Sequence, residues 1–386
     1  MVGTLLDLDL PAPELTAHLC DLASPSGEEG PLADAVEAAL RSVGHLRVDR
    51  HGDTVVARTA LGRPTRVVLA GHLDTVPVAG NQPTRLDGGV LWGRGTVDMK
   101  GGVAVGLRLA AHVPAPVSDV TYVFYDNEEV EAERNGLGRV AREHPDWLAA
   151  DFAVLMEPTS AAVEGGCNGT LRVAVELTGT AAHSARWWMG SNAIHAAGPV
   201  LRRLADHQPA TVTVDGLDYR EGLNAVGISG GIAGNVIPDR CEVTVNYRFA
   251  PAKTEAEAFD HVRQVLDGYD VRLLDTAPGA RPGLDRPVAA AFVAAVGGEP
   301  RAKVGWTDVA RFDALGVPAV NYGPGDPQLA HADDERVDVA EIVTCETRLR
   351  AWLTTLAPVE GRAHRRGLGA GGSHESSVES ERDWSE

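Results

Sequence analysis

A chain of 386 residues has room for roughly two domains and a sizeable buried interior. Hydrophobic residues make up 44% and charged residues 23%, the balance of a soluble globular protein, which excludes disorder over most of the length. Lys and Arg number 35 against 54 Asp and Glu, and the resulting net charge of -19 argues against unaided binding to nucleic acid or to an anionic membrane.

Cys20, Cys167, Cys241 and Cys345 lie far apart without a C-x-x-C pair, so neither a disulfide framework nor a cysteine zinc site is expected, and a reducing cytoplasm fits. The first ten residues lack a basic n-region and carry Asp7 and Asp9, unlike a signal peptide. No apolar stretch reaches membrane-span length.

Apolar residues at helical spacing predict helices over 13–22 and 32–43, the second stopped by Gly44. Short apolar runs at 67–70, 120–125 and 152–156 read as strands, with helices over 102–111 and 138–143 as crossovers. The expectation is an α/β fold with a mostly parallel, buried sheet flanked by helices. From Leu171 to about Asp285 the order becomes strand, helix, strand, strand, helix, strand. Its first helix begins near Ser191 and its second at the Thr254-x-x-Glu257 capping box, ending at Gly268. This is the order of a split-βαβ, ferredoxin-like α+β module, so residues 172–285 are expected to form a second domain inserted between 1–171 and 286–359. A helix over 287–296, a strand at 319–320 and a closing helix over 339–356 return the chain to the first domain. Residues 360–386, rich in Gly, Ser and charge, are expected to be a disordered tail.

Acids and histidines recur where the apolar strands end: His72 and Asp74, then Asp98, Glu128 with Glu129, Glu157, and His331. Each has an ordinary reading alone. A histidine after a strand is usually a hydrogen-bonded structural residue, paired acids suit a helix start, Asp98 suits a turn, and Glu157 before Pro158 ends a strand. Their joint placement at the carboxyl ends of strands, where open α/β sheets bind ligands, points to one shared site. Gly93-x-Gly95 does not continue into a dinucleotide fingerprint, because Asp98 stands at the third glycine. Gly323-Pro324-Gly325 fails as a phosphate cradle, because proline has no N–H to donate.

The strings GHLDTVP, GRGTVDMKGG, DNEE, MEPT, GTAAHSA, GNVIPD, NYRFAP and GPGDPQLAH resemble the family of dinuclear-zinc deacylases and carboxypeptidases over about residues 10–357. The resemblance implies a zinc-exopeptidase-like catalytic domain with an inserted dimerisation domain, and therefore a homodimer built through 172–285. It implies two Zn2+, with Co2+ or Mn2+ able to substitute: His72 and Glu157 on one ion, Glu129 and His331 on the other, and Asp98 bridging both. Glu128 would be the general base, Asp74 the partner that orients His72, and His183 a group that stabilises the oxyanion in the partner subunit's active site. Arg248 would anchor a substrate carboxylate, Thr307 and Arg311 would be further candidates for that contact and Asn235 a further substrate-binding residue, although the loop at 305–312 and the Cys167-Asn168 pair depart from better-known relatives. Trp187 and Trp188 are read as packing at a domain or dimer contact. The implied reaction is amide hydrolysis of an N-succinylated diamino dicarboxylic acid, with an acetylated amino acid or a peptide as the alternative. Two divalent cations would also relieve the repulsion among converging carboxylates.

Overall fold

The computed structural model describes residues 6–355. An eight-stranded sheet runs in the order Arg47–His51, Thr54–Arg58, Asp119–Tyr125, Arg66–His72, Phe152–Leu155, Ala319–Asn321, Glu164–Gly165, Arg301–Ala302. The middle four strands are mutually parallel and coincide with the apolar runs expected to be strands. The first two form an antiparallel hairpin at the edge. Arg47, Asp49 and Arg50 interrupt its apolar pattern, and a strand covered on one side tolerates them.

Burial is continuous along the central strands, as a sheet covered on both faces requires, and successive side chains enter opposite cores. Val67 and Leu69 join the core beneath the helices Ala12–Asp21, Gly30–Arg41, Lys100–His112, Pro287–Val296 and Val339–Thr354. Val68 and Ala70 pack on the opposite side with Leu137, Val140, Val309 and Phe312 of the helices Gly136–Glu143 and Val309–Ala314. Each fully buried Val, Leu or Phe contributes about 1.5–3 kcal/mol. Gly102 brings the helix Lys100–His112 against the end of a central strand, since a Cβ there would stand 2.1 Å from the Met156 carbonyl oxygen. Only glycine permits that approach.

The four parallel strands end at one edge of the sheet. His72 closes one strand, Asp126–Glu129 and Met156-Glu157 follow two others, and the segment to His331 follows the last.

A second sheet, antiparallel throughout, has the order Gly222–Gly230, Arg240–Phe249, Gly169–Thr178, Asp270–Ala277. The helices Ala193–Asp206 and Glu255–Val265 pack against it through Ala197, Val200, Ala258 and Val262, facing Leu171, Val173, Val243 and Val245. The order of elements is the one read from the sequence, and the capping box forms with both of its hydrogen bonds. A hairpin of Thr211–Val214 and Leu217–Arg220 is an addition to that reading. No helix among the described residues is long and apolar enough to cross a membrane. The expected tail over 360–386 lies outside the described residues.

Candidate active site

Six of the expected residues converge at the carboxyl edge of the large sheet. Ligand atoms of His72, Asp98 and Glu157 lie within 4.8 Å of one another, as do those of Asp98, Glu129 and His331, and those of His72, Glu128 and Glu129. Asp98 belongs to two of the three groups, one with each histidine: its Oδ1 lies 3.0 Å from His72 Nε2 and its Oδ2 3.4 Å from His331 Nε2. His331 Nε2 also lies 2.8 Å from Glu129 Oε1. One carboxylate therefore faces two histidines drawn from chain segments far apart in sequence.

Charge is poorly balanced among these groups. Burial pushes Glu157 up to about 8, reinforced by the neighbouring Asp98. Burial likewise raises Glu128 well above the carboxylate range, with Asp308, Glu157 and Glu129 adding to it against the attraction of His72. Although burial works against a charged imidazole, Asp74 and Asp98 hold His72 well above its usual value. Hydrogen bonds to Asp98 and Glu129 raise His331 to about 10. Opposing burial, hydrogen bonds with His331 and His72 hold Asp98 below its usual value. Glu157 Oε1 is buried with no hydrogen-bond partner among the described residues, a cost of about 1–3 kcal/mol or more for a charged group. Imidazole and carboxylate donors around such an atom fit divalent cations.

The ligand-bearing loops are themselves held. His72 Nδ1 lies 2.9 Å from the Asp74 carbonyl oxygen and 3.5 Å from its carboxylate, so the backbone of Asp74 orients the ring more closely than the side chain does. The Asp74 carboxylate accepts the backbone N–H of Glu128 and that of Glu129, both at 3.0 Å, and the Ser26 hydroxyl at 2.7 Å. Buried Glu29 accepts the N–H of Asn127 at 3.0 Å, where the backbone takes a φ of 58°. This left-handed turn carries the chain from strand end to ligand loop. Ser26 and Glu29 went unnoticed in the sequence because their partners lie 48 and 98 positions away.

The remaining candidates are not among these ligand groups. Ala182–His183 pairs with Val236–Ile237, and Ser184 N–H donates to the Asn235 carbonyl at 2.9 Å, so His183 and Asn235 are neighbours on an exposed surface. His183 Nδ1 accepts from Ala185 N–H, which leaves Nε2 as the outward-facing nitrogen. Arg248 is exposed on the strand Arg240–Phe249, opposite Gly222 and Thr170. Thr307 is buried and donates its hydroxyl to Asn321 Oδ1 at 2.9 Å, and Arg311 pairs with buried Asp308. Both have partners inside the protein. Asp308 also accepts from Asn135 Nδ2 at 2.9 Å, a link that no sequence spacing indicated.

Residues 68–355 match the family described as Peptidase family M20/M25/M40. A Mycobacterium tuberculosis protein assigned as a succinyl-diaminopimelate desuccinylase is 56% identical over 352 residues, covering 90% of this chain and 99% of its own. The succinyl-diaminopimelate desuccinylase of Corynebacterium glutamicum is 46% identical over 351 residues, covering 88% of this chain and 95% of its own. Among solved structures, a tripeptidase of Staphylococcus aureus superposes with a TM-score of 0.73 at 16% identity, over 91% of this chain and 98% of that one, which is a likeness of fold. The extent of these matches, together with the converging His, Asp and Glu side chains, means that the chain belongs to peptidase family M20/M25/M40 and is a metal-dependent amidohydrolase.

Proposed function

We propose that the protein hydrolyses the amide bond of N-succinyl-LL-2,6-diaminopimelate to succinate and LL-2,6-diaminopimelate, in cytoplasmic lysine and diaminopimelate biosynthesis. The observation that carries this reading is the convergence of His72, Asp98, Glu129, Glu157 and His331 beside Glu128, in a chain closely related to two desuccinylases. Two zinc ions are its cofactors, with cobalt or manganese compatible with the same donors. His72 and Glu157 would hold one ion and Glu129 and His331 the other, with Asp98 shared between them. Bound there, the ions would supply Lewis acidity toward the amide carbonyl and would make a water acidic near neutrality. Glu128 takes a proton from the attacking water at its carboxylate and returns it to the leaving amine. Asp74 keeps Glu128 and Glu129 in fixed directions through their amides.

Within the described residues, 6–171 and 286–355 form the catalytic domain, and 172–285 form the dimerisation domain. Support for the dimer comes from apolar side chains left exposed there: Val226 and Ile228 on the edge strand Gly222–Gly230, Ile232 just after it, and Trp187 and Trp188 elsewhere in 172–285. Monomers rarely display such apolar clusters without a partner. In the dimer His183 reaches the active site of the partner subunit and stabilises the oxyanion through its outward nitrogen. Arg248 anchors a substrate carboxylate, Asn235 binds the substrate beside it, and Thr307 and Arg311 are further candidates for the carboxylate contact. A guanidinium suits a dicarboxylic substrate because it can bind a carboxylate with two parallel hydrogen bonds.

Steady-state assays on N-succinyl-LL-2,6-diaminopimelate, N-acetylornithine and a dipeptide test the substrate. A kcat/KM at least about 100-fold higher for the succinylated compound is expected, since a site that pairs with a polar group strongly rejects analogues lacking it. Preference for N-acetylornithine would rule out the reading. Sedimentation at assay concentration is expected to show a dimer, and a fully active monomer would refute the role of His183 across the interface.

A further inference from the structure

The loop that carries Asp98 is gripped by a residue 237 positions downstream. Glu335 is 1% exposed. Its Oε1 accepts the backbone N–H of Val97 at 3.0 Å and of Asp98 at 3.2 Å, and its Oε2 accepts from Arg94 Nη1 at 2.7 Å. Arg94, itself buried, also donates to the carbonyls of Ala332 and Pro77, each at 3.3 Å. Main-chain bonds complete the junction: Glu335 N–H donates to Ala332 at 3.2 Å, and Gly93 N–H to Glu335 at 2.9 Å. The segment after His72, the Asp98 loop and the turn after His331 therefore meet at one buried ion pair.

We infer that Glu335, together with Arg94, is a positioning residue for the reaction: it fixes the main chain of Asp98 so that one carboxylate oxygen faces His72 and the other faces His331. The inference rests on the proposed reading in which Asp98 spans two ions. Asp98 sits outside any strand, and the Glu335 carboxylate supplies the acceptor that a sheet would otherwise provide for the amides of Val97 and Asp98. Asp74 treats Glu128 and Glu129 in the same way. Both ligand loops are thus held by a buried carboxylate bonded to two successive amides. A buried ion pair adds little net stability over apolar packing of equal volume. What it provides here is geometry, because a carboxylate can bridge two ions only if its backbone keeps a fixed distance from both histidines.

Calorimetric titration of metal-free protein with Zn2+ tests this on wild type, Glu335→Gln, Glu335→Ala, and Glu335→Gln combined with Arg94→Met, which leaves no lone buried charge. Wild type is expected to bind two ions. Glu335→Gln keeps an acceptor oxygen for the two amides, and a loss of about tenfold in affinity for the weaker ion is expected. Glu335→Ala removes that oxygen and is expected to lose about 100-fold, the upper range for removing a group that orients a metal ligand. In both, kcat falls while KM holds. Circular dichroism and melting of the metal-free proteins monitor folding. The double variant carries the comparison if Glu335→Ala does not fold, with an affinity loss at least equal to that of Glu335→Gln. Variants that melt earlier yet bind both ions at wild-type affinity would overturn the inference and leave Glu335 a purely structural residue. A wild type that binds a single ion would refute the dinuclear reading itself, and this inference with it.

Discussion

Glu128→Gln is expected to lower kcat by about 10²–10⁴, the span typical of a positioned proton shuttle, with metal content unchanged. Adjacent acids create the question that this variant answers. Glu129 Oε1 stands 2.8 Å from His331 Nε2, so Glu129 is committed to the second histidine. Glu128 shares a potential ligand group with His72 and Glu129, and geometry alone leaves it able to serve as ligand or base. Its half-buried carboxyl, raised well above the usual range, needs nearby positive charge to ionise and can then accept a proton near neutral pH. Glutamine preserves volume and removes only the basicity. Activity within a few-fold of wild type would place the base elsewhere, and loss of one equivalent of metal would make Glu128 a ligand.

Metal affinity is expected to climb steeply with pH through the neutral range. In the metal-free protein His72 lies well above its ordinary value and His331 near 10, so both hold a proton at pH 7, as does Glu157 at about 8. Asp98, held low, is already ionised and contributes no proton. Ligands must be deprotonated to bind, so the two ions together displace protons from His72, His331 and Glu157, and a fourth from Glu128 as their charge ionises it. Each displaced proton makes binding about tenfold tighter per pH unit below its pKa, so the product of the two affinities should rise about 10⁴-fold from pH 6 to pH 7. Above about 8 Glu157 stops contributing and the dependence becomes shallower. Calorimetry in buffers of different ionisation enthalpy measures the protons released. Affinity that is flat between pH 6 and 7 would contradict the ligand set.

The candidate ligands were legible in the sequence because their chemistry is local. A strand that ends in His72, or passes directly into Glu128-Glu129 or Glu157, places its ligand by strand direction alone, and parallel strands end on the same side. The capping box at Thr254 and the helix beginning at Pro287 were equally readable, since a cap involves residues three or four apart. The edge strand at 47–51 was obscured because one exposed face breaks its apolar pattern. Thr307 and Arg311 show the same limit from the other side: their residue types suit carboxylate recognition, yet only the packed fold reveals that Asn321 and Asp308 already engage them.

By itself, then, the order of residues determined the strand ends, the helix caps and the residue types offered to a cation, because each depends on neighbours a few positions away. Tertiary structure alone decided that Ser26, Glu29 and Glu335 hold the ligand loops, and that Asp98 stands between His72 and His331. Those contacts join segments tens to hundreds of positions apart, so they come into being only when burial brings distant strands and loops together, and no local spacing in the chain encodes them.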